Sequence, residues 1–323
     1  MFNDPRDCGH GITRIDVHYI RPGLACCYLV VEQGRAVLIE TGPQLAVPRL
    51  LKVLEQKNIA RENVEAVLVT HVHLDHAGGA GLLLQHLPNA QLYVHPKGAK
   101  HLIDPAKLKA SAITVYGEER FLHTLGGLTP IPANRVVTPK DEDTFLLMGR
   151  QFQFLHTPGH AIHHQVVWDR TSRGIFSGDA LGISYRECDG PKGRFLFPAT
   201  TPVQFDPKNS LESVDRLLAL KPERLHLTHF DSIPFDSNLM VDLKQQLEAY
   251  SELAWGIRAD TLPDKDDRLL DGIKELSWQR LQAIGSPLDK IQSTELLSMD
   301  WGINVQGLNH WLNRLEQSLA ASA

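Results

Sequence analysis

Several features that would place this chain in a special class of protein are scarce or missing. Only four of its 323 residues are cysteines, and no two of them form a C-x-x-C pair. Since Cys26 and Cys27 lie in an apolar, strand-like run, we expect buried thiols rather than disulfides. No apolar run reaches the roughly eighteen residues that a membrane helix needs, and the N-terminal sequence has no apolar core typical of a secretion signal. These absences predict a soluble, cytoplasmic protein that has no membrane partner.

An excess of positive charge is also missing. Lysine and arginine total 33 against 38 acidic residues, so the formal net charge at pH 7 is −5. Proteins that bind nucleic acids usually carry a basic face, so no nucleic-acid partner is expected. Apolar residues make up 42% of the chain and charged residues 22%, which are the proportions of an ordinary globular protein.

Most of the chain alternates between strand-like and helix-like segments. Three apolar runs, at residues 12–20, 24–32 and 35–40, are separated by turn sequences and predict an antiparallel meander. Between residues 46 and 227 helices and strands alternate, which is typical of a layered α/β domain. One helix is expected over residues 75–86.

The sequence after residue 236 has helical periodicity alone. Leu239, Leu243 and Leu247 recur at helical spacing, and further helices are expected near residues 266–284, 292–300 and 304–319. We therefore predict two domains, an α/β catalytic domain over residues 1–236 and an all-helical region over residues 237–323.

The densest cluster of metal-binding side chains lies in residues 70–79, which read THVHLDHAGG. Its flanking sequences predict a strand before it and a helix after it. His71 and His73 are two residues apart and therefore point the same way in an extended chain. Asp75 and His76 follow at the turn. Imidazole and carboxylate together are ligands of a hydrolytic metal such as Zn²⁺, so the run predicts a metal site rather than a solvated loop rich in histidine.

Three more metal-binding side chains follow predicted strands: His160, Asp179 and His229. Side chains at the ends of strands can converge on one edge of a sheet. Taken singly, His160 is equally well a turn residue, Asp179 a turn or helix-capping residue, and His229 a structural histidine. Their order and spacing behind the first cluster favour a shared metal site.

With these residues in place, the chain resembles the metallo-β-lactamase-fold hydrolase superfamily over about residues 12–232. The motifs that carry the likeness are HVHLDH at 71–76, TPGH at 157–160, SGDA at 177–180 and LTHF at 227–230. They look most like the branch that contains glyoxalase-II-type thioesterases and other small-molecule hydrolases. The resemblance implies an α/β (α+β) fold, a four-layer αββα sandwich with the metals at one edge, here followed by a C-terminal helical extension.

The resemblance also implies two divalent metal ions, with Zn²⁺ as the first expectation and iron or manganese as alternatives. It assigns His71, His73 and His160 to one ion, Asp75, His76 and His229 to the second, and Asp179 to a bridging position. In such a site a bridging hydroxide attacks an electrophilic carbonyl carbon or phosphorus. Asp75 is expected to be catalytic as well, because its second oxygen can accept the proton of the attacking water.

Histidines that bind a metal need a partner for their other ring nitrogen. Glu40 is the candidate, because it ends a predicted strand at the position where many relatives carry aspartate. Thr70 and Thr228 precede ligand histidines, and each is either a further partner of this kind or a plain strand residue.

Two further histidines, His163 and His164, closely follow His160. Neighbouring residues in a strand point to opposite faces, so at most one of the two is expected near the metals. Neither is expected to be a ligand, because the ligand set is already complete.

Residues 181–206 separate two predicted metal ligands and show weak periodicity. Long segments of this kind inside a domain are often functional, so we expect a wall of the substrate pocket here. Its candidate side chains are Tyr185, Arg186, Arg194, Phe195 and Phe197. Tyr185 is expected to be catalytic, as a donor to the developing oxyanion, by analogy with a tyrosine of related lactonases. In the alternative interpretation the segment is a surface loop whose two phenylalanines are buried in the core.

The function expected from these residues is metal-dependent hydrolysis of a small thioester or a related acyl compound. A lactonase or phosphodiesterase using the same site is the alternative among enzymes. A non-hydrolytic metal protein, such as a sensor, is the alternative from another class. Retention of His73 disfavours the relatives that handle dioxygen, since these commonly carry glutamate within the motif. The expected partner is a small-molecule substrate, and a homodimer is a further option.

Overall fold

The computed structural model describes residues 4–258 and 264–322 of the chain. The outer ends of the two predicted domains, at residues 1–3 and 323, lie outside the described residues. The chain divides into two compact units. The first unit comprises Met1–His156, His163–Gly178 and Pro222–Phe235, and the second comprises Thr157–Ile162, Asp179–Lys221 and Asp236–Ala323. The last of these divisions falls between Phe235 and Asp236, and the predicted scheme of two domains, 1–236 and 237–323, stays a prediction.

Seven strands of the first unit form one mixed sheet in chain order. They are β1 (Arg6–Asp7), β2 (Ile12–Asp16), β3 (Cys26–Glu32), β4 (Arg35–Ile39), β5 (Val64–Leu68), β6 (Gln91–Tyr93) and β7 (Val136–Val137). Strands β2, β3 and β4 run antiparallel, as the meander predicted, and β4 to β7 run parallel. Of the parallel strands, β4, β5 and β6 are largely buried, which matches their mainly apolar sequences.

Six strands of the first unit form a second sheet, in the order β13-β12-β11-β10-β9-β8. They are β8 (Thr144–Leu147), β9 (Arg150–His156), β10 (Gln165–Asp169), β11 (Gly174–Gly178), β12 (Arg224–Leu227) and β13 (Asp231–Pro234). The two sheets pack face to face, since the ring of Tyr28 in β3 lies 5.3 Å from that of Phe176 in β11 and 5.2 Å from that of His226 in β12. The predicted α/β sandwich is therefore confirmed.

The helices of the first unit are α1 (Val47–Gln56), α2 (Leu74–Ala77), α3 (Ala80–His86), α4 (Pro96–Ile103), α5 (Ala106–Tyr116) and α6 (Glu118–Leu125). The single helix predicted over residues 75–86 is wrong, because α2 and α3 are separate at Gly78 and Gly79. The Gly79 N–H donates to the Gly42 carbonyl at 2.9 Å instead of continuing the helix. A side chain at Gly79 would also meet Val47 at 3.0 Å.

The second unit is built from helices α7 (Pro207–Leu218), α8 (Ser237–Ile257), α9 (Lys265–Ile284) and α10 (Lys290–Ser322). The C-terminal helical extension is thereby confirmed. Two helices predicted near 292–300 and 304–319 are instead the one helix α10, because buried Trp301, Val305 and Leu308 continue its apolar face across Gly302. In the described part of the chain, none of the helices has the length and apolar character needed to cross a membrane.

Candidate metal centre

The HVHLDH motif lies at the junction of a buried strand and a helix. Strand β5 ends at Leu68, and the Val69 N–H then donates to the Tyr93 carbonyl at 3.0 Å, which holds the chain to β6. The Thr70 carbonyl accepts from the Gln165 N–H of the other sheet at 2.8 Å. The chain stays extended to His73, with φ −62° and ψ 151°, and α2 begins at the next residue. The histidines are thus carried by backbone that both sheets hold.

His71 and His73 lie side by side, as their spacing predicted. Nε2 of His71 is 2.9 Å from Nδ1 of His73. On the other edge of its ring, Nδ1 of His71 lies 3.0 Å from the hydroxyl oxygen of Thr70. His71 is fully buried and His73 is half-buried. Nε2 of His71 and Nδ1 of His73 are thus adjacent, while Nδ1 of His71 is held by Thr70.

Asp75, His76 and His229 form a second group in the first unit. Oδ2 of Asp75 lies 3.2 Å from Nε2 of His229 and 3.8 Å from Nε2 of His76. The three ligand atoms all lie within 4.8 Å of one another. The structure therefore brings together residues that are more than 150 positions apart in sequence.

The outward nitrogens of these two histidines are occupied. Nδ1 of His229 lies 2.9 Å from the carbonyl oxygen of Leu24, and Nδ1 of His76 lies 3.2 Å from Oε1 of Glu40. A carbonyl or carboxylate on Nδ1 places the proton there and turns the Nε2 lone pair inward. An inward imidazole lone pair beside a carboxylate oxygen is the donor set that a divalent metal takes, so this group fits a metal ion.

Glu40 has the contacts expected of a residue that holds the second ring nitrogen of a metal-binding histidine. Besides His76, its carboxylate accepts from the hydroxyl of Thr70, from the Thr70 N–H at 3.4 Å and from the hydroxyl of Thr228 at 3.5 Å. It is almost completely buried, and its backbone adopts φ +63°. The extra methylene relative to aspartate therefore still allows the contact with a candidate ligand. The functional roles of Glu40, Thr70 and Thr228 stay predictions.

The backbone before His229 is held by β3, a support that the sequence does not signal. The Tyr28 hydroxyl donates to the Leu227 carbonyl at 2.6 Å, and the Cys26 N–H donates to the Thr228 carbonyl at 2.9 Å. Three residues before His229, in β12, His226 is stacked on Phe176 at a ring separation of 4.4 Å. Burial there lowers the pKa of His226 to about 3. This histidine is therefore neutral and belongs to the packing between the sheets.

Both His163 and His164 lie against His71. Their ring centroids are 6.2 Å and 4.9 Å from that of His71, and His163 is also 5.7 Å from His73. The expectation that at most one of them lies near the metal motif is wrong. Strand alternation does not apply, because both residues precede the first residue of β10.

His160 and Asp179, the two remaining predicted ligands, lie together in the second unit. Nε2 of His160 is 3.4 Å from Oδ2 of Asp179, and its Nδ1 is 3.0 Å from the Ala199 carbonyl oxygen. His160 thus repeats the arrangement of His229, with one nitrogen on a backbone carbonyl and the other on a carboxylate. Both side chains are buried. Their assignment as ligands stays a prediction.

Glycine precedes each of these two residues for a steric reason. Gly159 has φ +141°, and a Cβ there would lie 2.6 Å from the backbone of Ser210. Gly178 has φ +50°, and a Cβ there would lie 2.7 Å from Nε2 of His164. The Gly-His and Gly-Asp pairs of the sequence therefore mark close approaches of the backbone.

The candidate pocket residues of the segment 181–206 interact with their own unit. The Tyr185 hydroxyl lies 3.1 Å from Oδ1 of Asp300, and the side chain is buried. Arg186 and Arg194 both pair with Oδ2 of Asp189, at 2.9 Å and 3.1 Å. Phe195 and Phe197 are fully buried with ring centroids 5.4 Å apart. This burial agrees with the alternative interpretation for the two phenylalanines, and the pocket roles of the segment stay predictions.

Comparison with protein families gives one match that covers most of the chain. The description "Metallo-beta-lactamase superfamily" matches residues 20–229, which include the HVHLDH motif and extend to the last predicted ligand. A metallo-beta-lactamase fold-containing protein of Sulfurisphaera tokodaii is 27% identical over 212 residues, covering 64% of this chain and 73% of that protein.

Two further proteins are similar to this chain. A hydroxyacylglutathione hydrolase of Salmonella paratyphi A is 29% identical over 157 residues, so the match covers 47% of this chain and less than half, 45%, of that enzyme. A metallo-beta-lactamase family protein of Thermus thermophilus superposes with a TM-score of 0.60 at 22% identity, covering 90% of this chain and 94% of the other. The latter likeness supports the fold alone.

Proposed function

Because this chain belongs to the metallo-beta-lactamase superfamily, most of whose members are hydrolases, we propose that it is a metal-dependent hydrolase of a small acyl compound, with thioesters as the substrate class. The observation that carries the proposal is the group formed by Asp75, His76 and His229. Its ligand atoms converge, while the outward nitrogens of both histidines are held by other protein groups.

Proteins of this superfamily bind divalent metals, and the donors of this chain suit them. We retain the ligand sets predicted from the sequence, with Zn²⁺ as the first metal to test and iron and manganese as alternatives. When bound at such a centre, divalent ions polarise a substrate carbonyl and lower the pKa of water towards neutrality.

The residues of the chain have distinct tasks in this proposal. Asp75 is the proton acceptor, because its side chain is 22% exposed while the histidines beside it are nearly buried. In this proposal the Asp75 carboxylate takes the proton of the attacking water. Glu40 holds His76 through Nδ1, and Thr70 holds His71 through Nδ1. In this proposal Nε2 of each ring is thereby directed at the metal centre.

The choice of a thioester is supported by the partial similarity to hydroxyacylglutathione hydrolases. A net charge of −5 gives no reason to expect a nucleic-acid substrate. We therefore place a small molecule in the site, cleaved between a carbonyl carbon and its leaving atom. Homodimer formation stays a prediction.

The test is a panel of initial rates on the metal-supplied protein, with and without chelator. The panel contains a glutathione thioester, an acyl-CoA, an acyl-homoserine lactone and a phosphodiester. We expect thioester turnover that chelator abolishes. Turnover of only the lactone or the phosphodiester would reassign the reaction, and bound metal without any turnover would favour a sensor.

Matched histidine variants connect this turnover to the site. His76→Ala should lose both activity and bound metal. His86→Ala, at the end of α3 and outside the candidate ligand groups, should retain both. Full thioester turnover by metal-depleted protein would contradict the proposed mechanism.

A further inference from the structure

An apolar cluster adjoins the HVHLDH motif within the first unit. Ala112 of α5 and Phe121 and Leu125 of α6 are buried together at its centre. Four partly buried apolar side chains pack against this centre: Tyr19, Leu74, Ile113 and Leu128. We call these four side chains the Leu74 shelf. They come from four separate parts of the sequence, so no local pattern predicts the shelf.

Leu74 connects the shelf to the candidate metal centre, because it lies between two predicted ligands, His73 and Asp75. These three consecutive residues are half-buried, whereas His71 and His76 on either side are buried. The motif is therefore open to solvent at the position where its one partly exposed apolar side chain packs on the cluster. Leu74 is therefore the residue through which the candidate ligands and the apolar cluster are joined in the chain.

The loop that carries Tyr19 is fixed at both ends by one carboxylate. Asp16 accepts from the His18 N–H at 2.9 Å and from the Gly23 N–H at 2.8 Å. Between these anchors, His18 and Ile20 adopt φ of +54° and +59°. Positive φ is unusual for a β-branched residue and persists only where the surroundings impose it. The loop is therefore built to hold Tyr19 in place.

Leu128 is held by a second set of polar contacts. The Thr129 hydroxyl donates to Oε1 of Gln44 at 2.8 Å, and Nε2 of the same glutamine donates to the Gly126 carbonyl at 3.0 Å. The loop after α6 is thus tied to the chain just before α1. Anchored apolar side chains give a binding surface that is ready before a ligand arrives, which favours affinity.

We propose that the Leu74 shelf receives the hydrocarbon chain of the substrate's acyl group. The substrate class is then acyl compounds with an apolar chain of several carbons, rather than short or polar acyl groups such as a hydroxyacyl group. The shelf has no charged member, and one of its side chains, Leu74, lies between two candidate ligands in the chain. This inference rests on the proposed hydrolase function, because the acyl group is taken to be part of the substrate.

The first measurement is binding, which does not depend on turnover. The Zn²⁺-supplied protein is titrated calorimetrically with straight-chain carboxylates from acetate to decanoate. Affinity should rise about fourfold for each added methylene until the shelf is covered, as expected when a CH₂ group leaves water. Equal affinity for acetate and octanoate would overturn the inference.

Variants then locate the effect. Tyr19→Ser and Ile113→Ser each alter one shelf member in a different element, so loss of folding in one leaves the other informative. Both should weaken octanoate binding roughly tenfold and leave acetate binding unchanged. The matched control is Leu122→Ser, since Leu122 lies on α6 beside Phe121 but is 49% exposed. An equal loss in the control, or none in either shelf variant, would overturn the inference.

Rates with thioesters of the same chain lengths separate this inference from the proposed function. Turnover that does not change with chain length would reject the shelf and keep the hydrolase. Chain-length-dependent binding of carboxylates without turnover of any acyl compound would reject the hydrolase and keep the shelf as an apolar binding site.

Discussion

The HVHLDH region and the segment 181–206 contain candidate site residues that are held in different ways. His76 and His229 are fixed by Glu40 and by the Leu24 carbonyl, which are remote from them in sequence. In the segment 181–206, the arginines pair with Asp189, a few residues away. The candidate ligands therefore depend on the sheet framework, whereas the arginines depend on local contacts. Changes to the framework should disturb the metal centre, and changes to the local pairs should not.

The strongest test of this comparison removes a candidate ligand from the framework. His71→Ala should lose bound metal and reduce thioester turnover by more than the roughly 100-fold that loss of an outer partner costs. The metal-free variant should still fold, with a lower free energy of unfolding because the buried ring leaves a cavity. Metal analysis and chemical denaturation check the two parts, and wild-type metal content in the variant would contradict the assignment.

A smaller effect is expected when a residue that holds a candidate ligand is changed instead of the ligand itself. Glu40→Ala should reduce metal affinity or activity about 10- to 100-fold, because His76 then loses the group that orients it. Glu40→Gln should cost less, since the amide oxygen can still accept from Nδ1. Competition with a metal chelator measures the affinity, and equal losses in the two variants would show that the charge rather than the orientation is important.

The packing between the sheets gives a pH-dependent prediction. The folded pKa of His226 is about 3 because of burial, whereas the ordinary pKa is about 6.5. Below pH 6.5 the unfolded chain therefore binds a proton that the folded chain excludes, so stability falls as the pH falls towards 3. His226 should therefore lower the free energy of unfolding at pH 5 by about 1–2 kcal/mol relative to pH 7.5.

His226→Phe removes this titration and keeps a ring between Tyr28 and Phe176. The variant should lose less stability than the wild type between pH 7.5 and pH 5. Urea denaturation at both pH values gives the comparison. An unchanged pH dependence would assign the acid sensitivity to other groups.

The smallest effect is expected in the local pairs of the segment 181–206. Arg194 is 39% exposed and pairs with Asp189, and exposed ion pairs contribute about 0–1 kcal/mol. Arg194→Ala should therefore leave the metal content unchanged and lower the unfolding free energy by less than about 1 kcal/mol. Loss of metal from this variant would remove the distinction between the two regions.

The sequence predicted the parts of the molecule whose cause is local. The strand before the HVHLDH motif follows from an apolar run, and the positions of His160, Asp179 and His229 at segment ends follow from the turn residues around them. The ligand types could be identified because few side chains bind metals. Breaks within helices were harder to predict, since the interruption at Gly79 depends on its bond to Gly42, which is distant in sequence.

What the sequence could not predict arises from contacts between distant segments. The short strand β13 has a mostly polar sequence and forms because β12 pairs with it. The Leu24 carbonyl that partners His229 leaves no trace in sequence, because any residue has a carbonyl. The Leu74 shelf likewise assembles from separate elements. All three cases depend on tertiary packing, which periodicity does not encode.

Glu40 also has a consequence for how this protein can diverge. Its carboxylate is shared by Thr70, His76 and Thr228, so these positions form one energetic unit. Substitutions within such a unit are not additive, and their coupling amounts to about 0.5–3 kcal/mol. A shorter aspartate at position 40 would therefore have different effects in different backgrounds at positions 70 and 228. Sequence drift at these positions is expected to be correlated, with the acceptable residue at one depending on its neighbours.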